Sequence, residues 1–375
     1  MVKKVLITGG AGFIGSHLVD FLIEKTNNEV FVYDNLDEQV HDNRTNPPDY
    51  LNKKVSFIKA SVLDYEVLKD SVESSEIIIH LAAKVGVGQS MYQINDYVSN
   101  NILGMANLLD ILVNSEHDVK KVIIASSNTI YGEGKALCSK CGVIFPKLRL
   151  NSQLEKKEWE IYCPECNDKA KPVLTDEKTP YDPSSIYALS KQIQEEMSLM
   201  IGNTYGIDVC ILRFFLVYGP RQSLSNPYTG VCAIFSTRLL NGNHPIVFED
   251  GLQSRDFINV GDICQALSLA LTSQSASGEI FNVGTGIPTT IQEVAEIITE
   301  KINPKLKPVY NQQFRTGDIR HCVADITKIK KKLGYEPKIT FNEGIEDFIN
   351  WLKLQKSRDT TDLALSELKE KGLLK

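Results

Sequence analysis

A glycine-rich turn near the N-terminus constrains the fold of this chain more than any other stretch. Gly9, Gly12 and Gly15 follow the apolar residues 5–7 and open a predicted helix. At this spacing the first glycine allows a tight turn, the second lets the backbone approach a pyrophosphate, and the third lets the helix pack closely on the strand. Phosphates would then meet free N–H groups at the helix N-terminus. The pattern predicts a dinucleotide-binding βαβ unit, although a purely structural turn uses glycine in the same way.

The next apolar strand, residues 30–33, ends in Asp34. A carboxylate at this position suits the adenosine ribose hydroxyls and repels a 2′-phosphate, so the sequence favours NAD over NADP as the cofactor. The alternative is a structural turn followed by a solvated aspartate.

The remaining pattern predicts an α/β fold. Apolar runs at 55–58, 77–83, 122–125 and 209–215 indicate buried parallel strands, residues 36–54 are polar enough for a loop, and residues 100–113 have helical periodicity. We expect a Rossmann-like, doubly wound parallel sheet in residues 1–215, with a smaller α/β substrate lobe in 216–375 interleaved with it. Helices are predicted at 232–240, 290–298, 348–354 and 362–374.

The net charge and the pattern of cysteines indicate which partners and which cellular compartment to expect. The net charge of −6 gives no reason to expect a polyanion-binding surface. The N-terminus does not resemble a signal peptide and no apolar run reaches the length of a membrane span, so we expect a cytoplasmic protein with no membrane partner. Four of the eight cysteines form two C-x-x-C pairs and the others occur singly, as in a reducing compartment.

Two separated segments carry the residue types of an alcohol-to-ketone redox site. The strand at 122–125 delivers Ser126 and Ser127 to the carboxyl edge of the sheet, where ligands bind in open α/β folds. Tyr187 and Lys191 are four residues apart in a predicted helix and therefore share a face. A nearby ammonium group and an oxidised nicotinamide would favour the phenolate, which could act as a base, and Ser127 could donate to the same substrate oxygen. A helix-surface pair is the alternative for the Tyr-x-x-x-Lys spacing.

A cysteine-containing insertion lies between these two segments. Cys138 and Cys141 are separated by 21 residues from Cys163 and Cys166. Two such pairs are the ligands of a tetrahedral structural zinc site, and the four thiolates leave no position for a catalytic water. A redox dithiol or a disulfide pair are the alternatives. Residues 136–172 are only mildly basic, which favours a metal-held loop over a nucleic-acid-binding ribbon.

Taken together, these motifs resemble the extended short-chain dehydrogenase/reductase family, in its NAD-dependent nucleotide-sugar epimerase/dehydratase group. The matching stretches run from about residue 2 to 355: TGGAGFIG (8–15), HLAA (80–83), SS (126–127) with YG (131–132), YALSK (187–191), VYGPR (217–221), RDF (255–257), FNVG (281–284) and GDIR (317–320).

The resemblance implies roles for residues that spacing alone does not assign. It implies that Tyr187 is the acid/base, that Ser127 steadies the reacting oxygen, and that Lys191 is the third catalytic residue. The implied cofactor contacts are Gly9, Gly12, Phe13, Ile14, Gly15, Asp34, Asn35, Ser61, Val62, Leu81, Ala82, Ala83, Lys84, Asn101, Ser126, Tyr187, Lys191 and Phe214. The implied substrate contacts are Val85, Ser127, Asn128, Leu216, Asn226, Val247, Phe248, Arg255, Arg315 and Asp318. A homodimer through helices 100–113 and 187–200 is also implied. From the residues alone, Arg255 and Arg315 suit a diphosphate, but surface salt bridges are the stronger alternative.

Positions where this sequence differs from the family pattern help to distinguish dehydration from epimerisation. Sugar 4,6-dehydratases carry an Asp-Glu pair after the catalytic serine or threonine, and here Asn128 and Thr129 cannot protonate a leaving hydroxyl. Epimerisation is therefore favoured. Ala60-Ser61 replaces a common Gly-Asp pair, and Leu216 stands where 4-epimerases often have asparagine.

The four-cysteine insertion is similar to that of a subgroup containing dTDP-L-rhamnose 4-epimerases. We therefore expect an isomerase that takes dTDP-L-rhamnose to dTDP-6-deoxy-L-talose, with NAD recycled and zinc structural. A UDP-hexose 4-epimerase and a non-catalytic NAD-binding scaffold are the alternatives.

Overall fold

The computed structural model describes residues 2–41, 44–224, 230–355 and 358–375. Its strands are β1 (Lys4–Thr8), β2 (Glu29–Asp34), β3 (Ser56–Lys59), β4 (Ile77–His80), β5 (Lys121–Ser127), β6 (Lys135–Cys138), β7 (Gly142–Ile144), β8 (Lys171–Val173), β9 (Asp208–Phe214), β10 (Leu216–Tyr218), β11 (Ile246–Val247), β12 (Ser254–Arg255), β13 (Phe257–Asn259), β14 (Glu279–Val283), β15 (Thr289–Thr290), β16 (Val309–Tyr310) and β17 (His321–Cys322).

The helices are distributed along the whole chain. They are α1 (Phe13–Lys25), α2 (Glu38–His41), α3 (Tyr65–Glu73), α4 (Val87–Ser90), α5 (Ile94–Tyr97), α6 (Gly104–Asn114), α7 (Asn151–Leu154), α8 (Ile186–Tyr205), α9 (Val231–Leu240), α10 (Val260–Thr272), α11 (Ile291–Ile302), α12 (Thr327–Leu333), α13 (Phe341–Leu352) and α14 (Thr361–Glu370). A π-helical turn spans Val98–Leu103, and 3-10 turns span Asn128–Tyr131 and Gln274–Ala276. None of the helices within these described ranges is long and apolar enough to cross a membrane.

The main sheet is parallel and has the order β14-β9-β5-β4-β1-β2-β3 in the described part of the chain. Helices α1, α10 and α12 pack on one face, and α3, α6 and α8 pack on the other. Because both faces are covered, strands such as β4 and β5 are buried along their full length, which explains their continuous apolar sequences. The Rossmann-like fold predicted from the sequence is confirmed, and the strand order reverses between β1 and β4, where ligands bind in such sheets.

Two local predictions need correction. The segment 36–54, predicted as a loop, contains the short helix α2, because the Asp37 side chain accepts from the amide of Gln39 (3.1 Å) and the Asp37 carbonyl accepts from Val40 and His41. The helix predicted at 100–113 begins as the π-helical turn Val98–Leu103 and only then becomes α6.

The C-terminal half contributes to both lobes. Strand β14 completes the main sheet beside β9, and α10 packs against α1. The rest forms a second core from α9, α11 and α13, with the short pairs β10–β13 and β11–β16 and the three-stranded sheet β15-β12-β17. The cysteine insertion forms a small antiparallel sheet of order β7-β6-β8, and Thr175 just after it pairs with Ala324 of the second lobe.

Candidate active site

A cavity of about 410 Å³ lies at the carboxyl edge of the main sheet. It brings together nearly all residues predicted to bind the cofactor: Gly9, Gly12, Phe13, Ile14, Gly15, Asp34, Asn35, Ser61, Val62, Leu81, Ala82, Ala83, Lys84, Ser126, Tyr187, Lys191 and Phe214. Most of these residues follow the ends of β1, β2, β3, β4, β5 and β9, so the parallel sheet itself collects them.

The glycine-rich turn forms a cradle at the start of α1. Gly9 has φ +70°, and a Cβ there would lie 2.8 Å from the amide nitrogen of Ala82. A Cβ on Gly15 would lie 2.3 Å from the carbonyl oxygen of Gly9, so both positions require glycine. A Cβ on Gly12 would meet only that same carbonyl, at 3.3 Å, and would otherwise occupy open space beside the first turn of α1. The cradle fits a pyrophosphate bound by helix amides.

Asp34 is held at the end of β2 by two backbone amides. Its Oδ2 accepts from Ala11 (3.0 Å) and its Oδ1 accepts from Leu36 (2.9 Å), with His41 Nε2 3.9 Å from Oδ1. Burial raises the pKa of Asp34, while these hydrogen bonds and the nearby imidazole oppose that shift. Each oxygen retains a lone pair for a ribose hydroxyl, so the residue fits the predicted contact with NAD.

Asn101 differs from its predicted role. Its buried side chain accepts from the amide of Lys84 (2.8 Å), donates to the Lys84 carbonyl (3.1 Å) and donates to Ser190 Oγ (3.0 Å). Asn101 is absent from the cavity wall, because these three bonds commit the amide to bracing the Lys84 segment against α8. Asn101 thus stabilises the segment that lines the cavity, and its predicted contact with the cofactor stays a prediction.

The three predicted catalytic residues meet at one end of the cavity. Ser185 caps α8 by accepting from the amide of Ala188 (3.1 Å), which places Tyr187 in the first helical turn, where its hydroxyl hydrogen-bonds the Ser127 side chain. Lys191, one turn later, donates to the carbonyl of Ala125 (2.8 Å). Strand β5 and helix α8 thus bring the acid/base, the hydroxyl donor and the ammonium group together, although 59 residues separate Ser127 from Tyr187.

Burial is the main cause of the pKa shifts of Tyr187 and Lys191. Burial raises the pKa of Tyr187, and the hydrogen bond with Ser127 lowers it. Burial also lowers the pKa of Lys191 to about 8, against the opposing charge of Glu195. The protein alone therefore favours the neutral phenol, and a positive charge at the cavity end would be needed to favour the phenolate.

Thr129 is a functional neighbour that the sequence analysis missed. Its hydroxyl donates to Ser127 Oγ (3.0 Å), and its amide approaches the same oxygen (3.3 Å). Because Ser127 Oγ accepts from Thr129, its own hydrogen is available for Tyr187 or a ligand oxygen. A threonine two residues after a capping serine is the signal that could have indicated this contact. Asn128 is buried and hydrogen-bonds Cys322 rather than lining the cavity.

The predicted substrate residues fall into two groups. Val85, Ser127 and Leu216 line the cavity, whereas Asn226 lies outside the described residues. Four more, Phe248, Arg255, Arg315 and Asp318, surround a turn of the second lobe. The Arg315 guanidinium lies 5.2 Å from the centre of the Phe248 ring and pairs with Asp318 (2.5 Å). Burial opposes ionisation of Asp318, but Arg315 and neighbouring arginines prevail and lower its pKa to about 2.

Val247 and Arg255 have structural roles that the sequence did not indicate. The Val247 side chain is fully buried in the core of the second lobe, so a ligand could reach only its main chain. The buried Arg255 guanidinium donates to the carbonyls of Ile319 (2.5 Å) and Arg320 (2.8 Å) and to Asp318 Oδ1 (3.1 Å). These bonds occupy most of its donors, so its predicted diphosphate contact stays a prediction.

Comparison with known proteins identifies the family. The model of the NAD dependent epimerase/dehydratase family matches residues 5–145, and that of GDP-mannose 4,6 dehydratase matches residues 167–348. The chain is 33% identical to dTDP-L-rhamnose 4-epimerase of Burkholderia thailandensis over 95% of this chain and 96% of that protein. The chain belongs to the NAD-dependent epimerase/dehydratase family.

Solved structures of nucleotide-sugar 4-epimerases have the same overall fold as this chain. The UDP-glucose 4-epimerase of Thermotoga maritima, solved with UDP-glucose, superposes with a TM-score of 0.76 at 31% identity, covering 93% of this chain and 98% of that one. The UDP-glucose 4-epimerase of Thermus thermophilus, solved with NAD, has a TM-score of 0.73 at 29% identity, covering 94% of this chain and 100% of that one. The predicted class, an NAD-dependent isomerase of the nucleotide-sugar 4-epimerase type, is confirmed.

The cavity of this family member also contains residues that the sequence analysis passed over. Tyr33, Asp37, Gln39, Val40, His41, Gln222 and Ser223 line it. Asp37 pairs with Lys84 (2.7 Å), and Ser223 Oγ donates to the Gln39 carbonyl (3.4 Å), so the segment after β2 meets the segment after β10. The polar run that follows Asp34 is the sequence signal for these residues, but its composition predicts only a loop.

The four cysteines of the insertion in this epimerase/dehydratase chain converge. Their sulfur atoms all lie within 4.8 Å of one another, and those of Cys138 and Cys166 are 3.5 Å apart. A tetrahedral four-thiolate zinc site has sulfur separations of about 3.8 Å. Backbone amides of Cys141 and Lys140 lower the pKa of Cys138 to about 7, whereas hydrogen bonds with the thiols of Cys166 and Cys163 raise the pKa of Cys141 to about 12. The donor set fits zinc, and Cys138, Cys141, Cys163 and Cys166 would be the ligands of such an ion.

Proposed function

We propose that this epimerase acts on dTDP-L-rhamnose and inverts C4 to give dTDP-6-deoxy-L-talose, reversibly. The observation that carries the 4-epimerase chemistry is the contact of Tyr187 with Ser127 at a cavity end that also holds Lys191. Neither Asn128 nor Thr129, which follow the serine, has a carboxyl group to protonate a leaving hydroxyl. The substrate proposal is supported by the name of the Burkholderia relative and by the cysteine insertion.

Proton transfer at the C4 oxygen follows from the positions of the side chains. Tyr187, as the phenolate, takes the proton of the C4 hydroxyl, and the Ser127 hydroxyl donates to the same oxygen. The Lys191 ammonium supports the phenolate electrostatically from one helical turn away. When bound, NAD would supply the hydride acceptor for C4 and the hydride donor for the 4-keto sugar. Rotation of that sugar would present its opposite face, so that C4 is inverted with no net redox change. Tyr187 then returns the proton.

We infer that the nucleotide end of the substrate lies against Phe248, Arg315 and Asp318. The supporting contact is between this turn and the catalytic helix: Ser184, three residues before Tyr187, donates to the Gly317 carbonyl (3.2 Å). The turn thus sits directly beside the start of α8. An exposed guanidinium such as Arg315 suits a diphosphate by its forked geometry.

A sugar panel tests the substrate. The purified enzyme would be incubated separately with dTDP-L-rhamnose, UDP-glucose and UDP-N-acetylglucosamine, and products identified by NMR of the sugar protons. We expect C4 inversion of dTDP-L-rhamnose alone. Turnover only of a UDP-hexose would support the second candidate, for which the Thermotoga neighbour with UDP-glucose is the supporting observation. Steady NADH formation would indicate a dehydrogenase instead, and no turnover of any sugar would favour a non-catalytic scaffold.

We propose that the four cysteines hold one zinc ion that fastens the insertion and takes no part in the reaction. The convergence of four sulfur atoms supports this, because four thiolates complete a tetrahedral shell. Metal analysis of protein purified without added zinc would test it, and we expect one zinc per chain. A disulfide between any two of the four would contradict it.

We also propose a homodimer formed by the helices of residues 98–114 and 186–205. Leu103, Leu189 and Met200 are exposed apolar side chains on these helices. Such residues favour burial against a partner. A monomer by light scattering at micromolar concentration would refute the dimer.

A further inference from the structure

Arg149, in the cysteine insertion, uses all five of its N–H groups inside the protein. Its Nε donates to Glu133 (3.1 Å), and its two terminal nitrogens donate to the two carboxylate oxygens of Glu249 (2.9 and 3.0 Å). The remaining hydrogens reach the carbonyls of Trp159 (2.9 Å) and Asp318 (3.1 Å). The guanidinium and both carboxylates are buried. No donor is therefore left for a ligand, and the role of this arginine must be exerted through its partners.

Those partners belong to the segments that surround the proposed sugar-nucleotide site. Glu133 follows the 3-10 turn that begins at the catalytic serine. Glu249 is the residue after Phe248, and Asp318 is the ion-pair partner of Arg315. One side chain from the insertion thus connects the catalytic edge of the first lobe with both loops proposed to hold the nucleotide.

The backbone at Glu249 needs such support. Its φ of +53° lies in the left-handed region of backbone conformation, which residues other than glycine rarely adopt. A strained residue persists only where its surroundings hold it, and here the carboxylate bonds Arg149 and Arg320 while the amide donates to the Gln313 carbonyl (2.9 Å). The conformation that aims Phe248 toward Arg315 therefore depends on this buried charge cluster.

Apolar packing and a second ion pair reinforce the connection. Trp159 of the insertion packs on Phe314, with ring centres 6.4 Å apart, immediately before Arg315. Glu160 of the insertion pairs with Arg320 (2.6 Å). The insertion is thus docked on the Arg315–Asp318 turn by one aromatic contact and two charged groups.

We propose that Arg149 is a positioning residue for substrate binding, and that the metal-held insertion serves to present it. By holding Glu249 and Asp318, it preorganises the loops that contact the sugar nucleotide, so the substrate does not have to order them. The inference rests on the proposed function. It assigns Arg149 no contact with the reacting atoms, so it predicts an effect on substrate binding and little effect on the chemical step.

The test compares Arg149→Met with wild type and with Lys171→Met, which removes an exposed cation of the same insertion outside both the charge cluster and the four cysteines. The NAD-loaded enzymes would be assayed for KM and kcat with the sugar that the panel identifies. Binding of dTDP and UDP alone would be measured by calorimetry. We expect Arg149→Met to raise KM and the nucleotide Kd about tenfold or more, with kcat and NAD content close to wild type. Lys171→Met should leave all four values unchanged.

Arg149→Met leaves two carboxylates buried without their partner, which could itself destabilise the fold. A second variant therefore tests whether the effect on KM persists when one of these charges is removed. Arg149→Met with Glu133→Gln removes one of these charges and should keep the raised KM. Arg149→Lys, which cannot span both glutamates, should recover only part of the affinity. An unchanged KM in a folded variant would overturn the positioning role, as would a parallel loss of kcat and NAD. Wild-type enzyme that neither binds a nucleotide nor turns over a sugar would overturn the proposed function too, before any variant is made.

Discussion

The buried ammonium group of Lys191 donates a hydrogen bond to the main-chain carbonyl of Ala125, 2.8 Å away, near the end of β5. A second bond to Gln194 (3.0 Å) leaves one hydrogen of the ammonium for the cavity. This arrangement fixes the charge one turn from Tyr187 and removes most of its contact with water. Its consequence is a pKa near 8 rather than the usual 10.5, because burial disfavours the charged form.

The alkaline side of the pH profile should therefore report Lys191. We expect kcat to fall as pH rises through about 8, since the lowered pKa makes the ammonium lose its proton there. Lys191→Arg keeps the positive charge at alkaline pH, so its residual activity should persist to higher pH. The measurement is kcat against pH for both enzymes. An alkaline limb at the same pH in the arginine variant would assign that limb to another group.

Replacement of Tyr187 by phenylalanine removes the proposed acid/base. We expect kcat to fall by roughly 10²- to 10⁴-fold, the usual contribution of a positioned proton-transfer group, while bound NAD is retained. Tyr205→Phe, an exposed position on the same helix, is the matched control and should be fully active. Near-normal turnover by Tyr187→Phe would refute the mechanism.

Asp34 should determine both the affinity for NAD and the rejection of NADP. Asp34→Asn removes the charge that accepts ribose hydroxyls, so we expect NAD binding to weaken about tenfold and the preference for NAD to shrink. Cofactor titration of stripped enzyme would measure both. Glu29→Gln, at the exposed start of the same strand, should change neither. Equal NADP binding by wild type and variant would contradict this role.

Loss of one cysteine ligand should affect stability and substrate binding but not chemistry. We expect Cys138→Ser to lose the zinc, to lower the free energy of unfolding by about 2 kcal/mol or more, and to raise KM with kcat retained. Thermal melting and metal analysis would measure this, with Cys264→Ala, a core thiol outside the cluster, keeping its zinc. Unaltered melting after complete, verified zinc removal would exclude the fastening role.

The last three residues of the chain pair with the proposed nucleotide-binding turn. The amide of Phe314 donates to the Lys375 carbonyl (2.9 Å), the Lys375 amide donates back to Phe314 (3.0 Å), and Thr316 donates to the Leu373 carbonyl (2.9 Å). Deleting residues 373–375 should raise KM severalfold without changing bound NAD, because three backbone bonds beside Arg315 are lost.

A point substitution separates this backbone effect from the charge of the tail. Lys375→Ala removes only an exposed ion pair with Glu155 (3.6 Å) and should have wild-type kinetics. A deletion variant with the wild-type KM would show that the tail does not order the turn.

The cofactor half of the site was predictable because its residues lie close to strand ends. The glycine turn, Asp34 and the Ala82-Ala83 pair each follow an apolar run within a few positions, and parallel strands place all their carboxyl ends on one edge. The same logic missed Thr129, and it did not indicate the hydrogen bonds by which Asn101 holds Lys84, because these contacts depend on tertiary packing rather than on spacing.

The sequence by itself determined the fold class, the dinucleotide turn, the Tyr-x-x-x-Lys pair and the four-cysteine spacing, because each is a local pattern with a specific physical requirement. Only the tertiary structure decided what the insertion touches. Arg149 meets Glu249 across 100 residues and Asp318 across 169. Ion pairs over such separations depend on how the two lobes and the small sheet of the insertion pack together. No periodicity or spacing along the chain indicates which charges will pair.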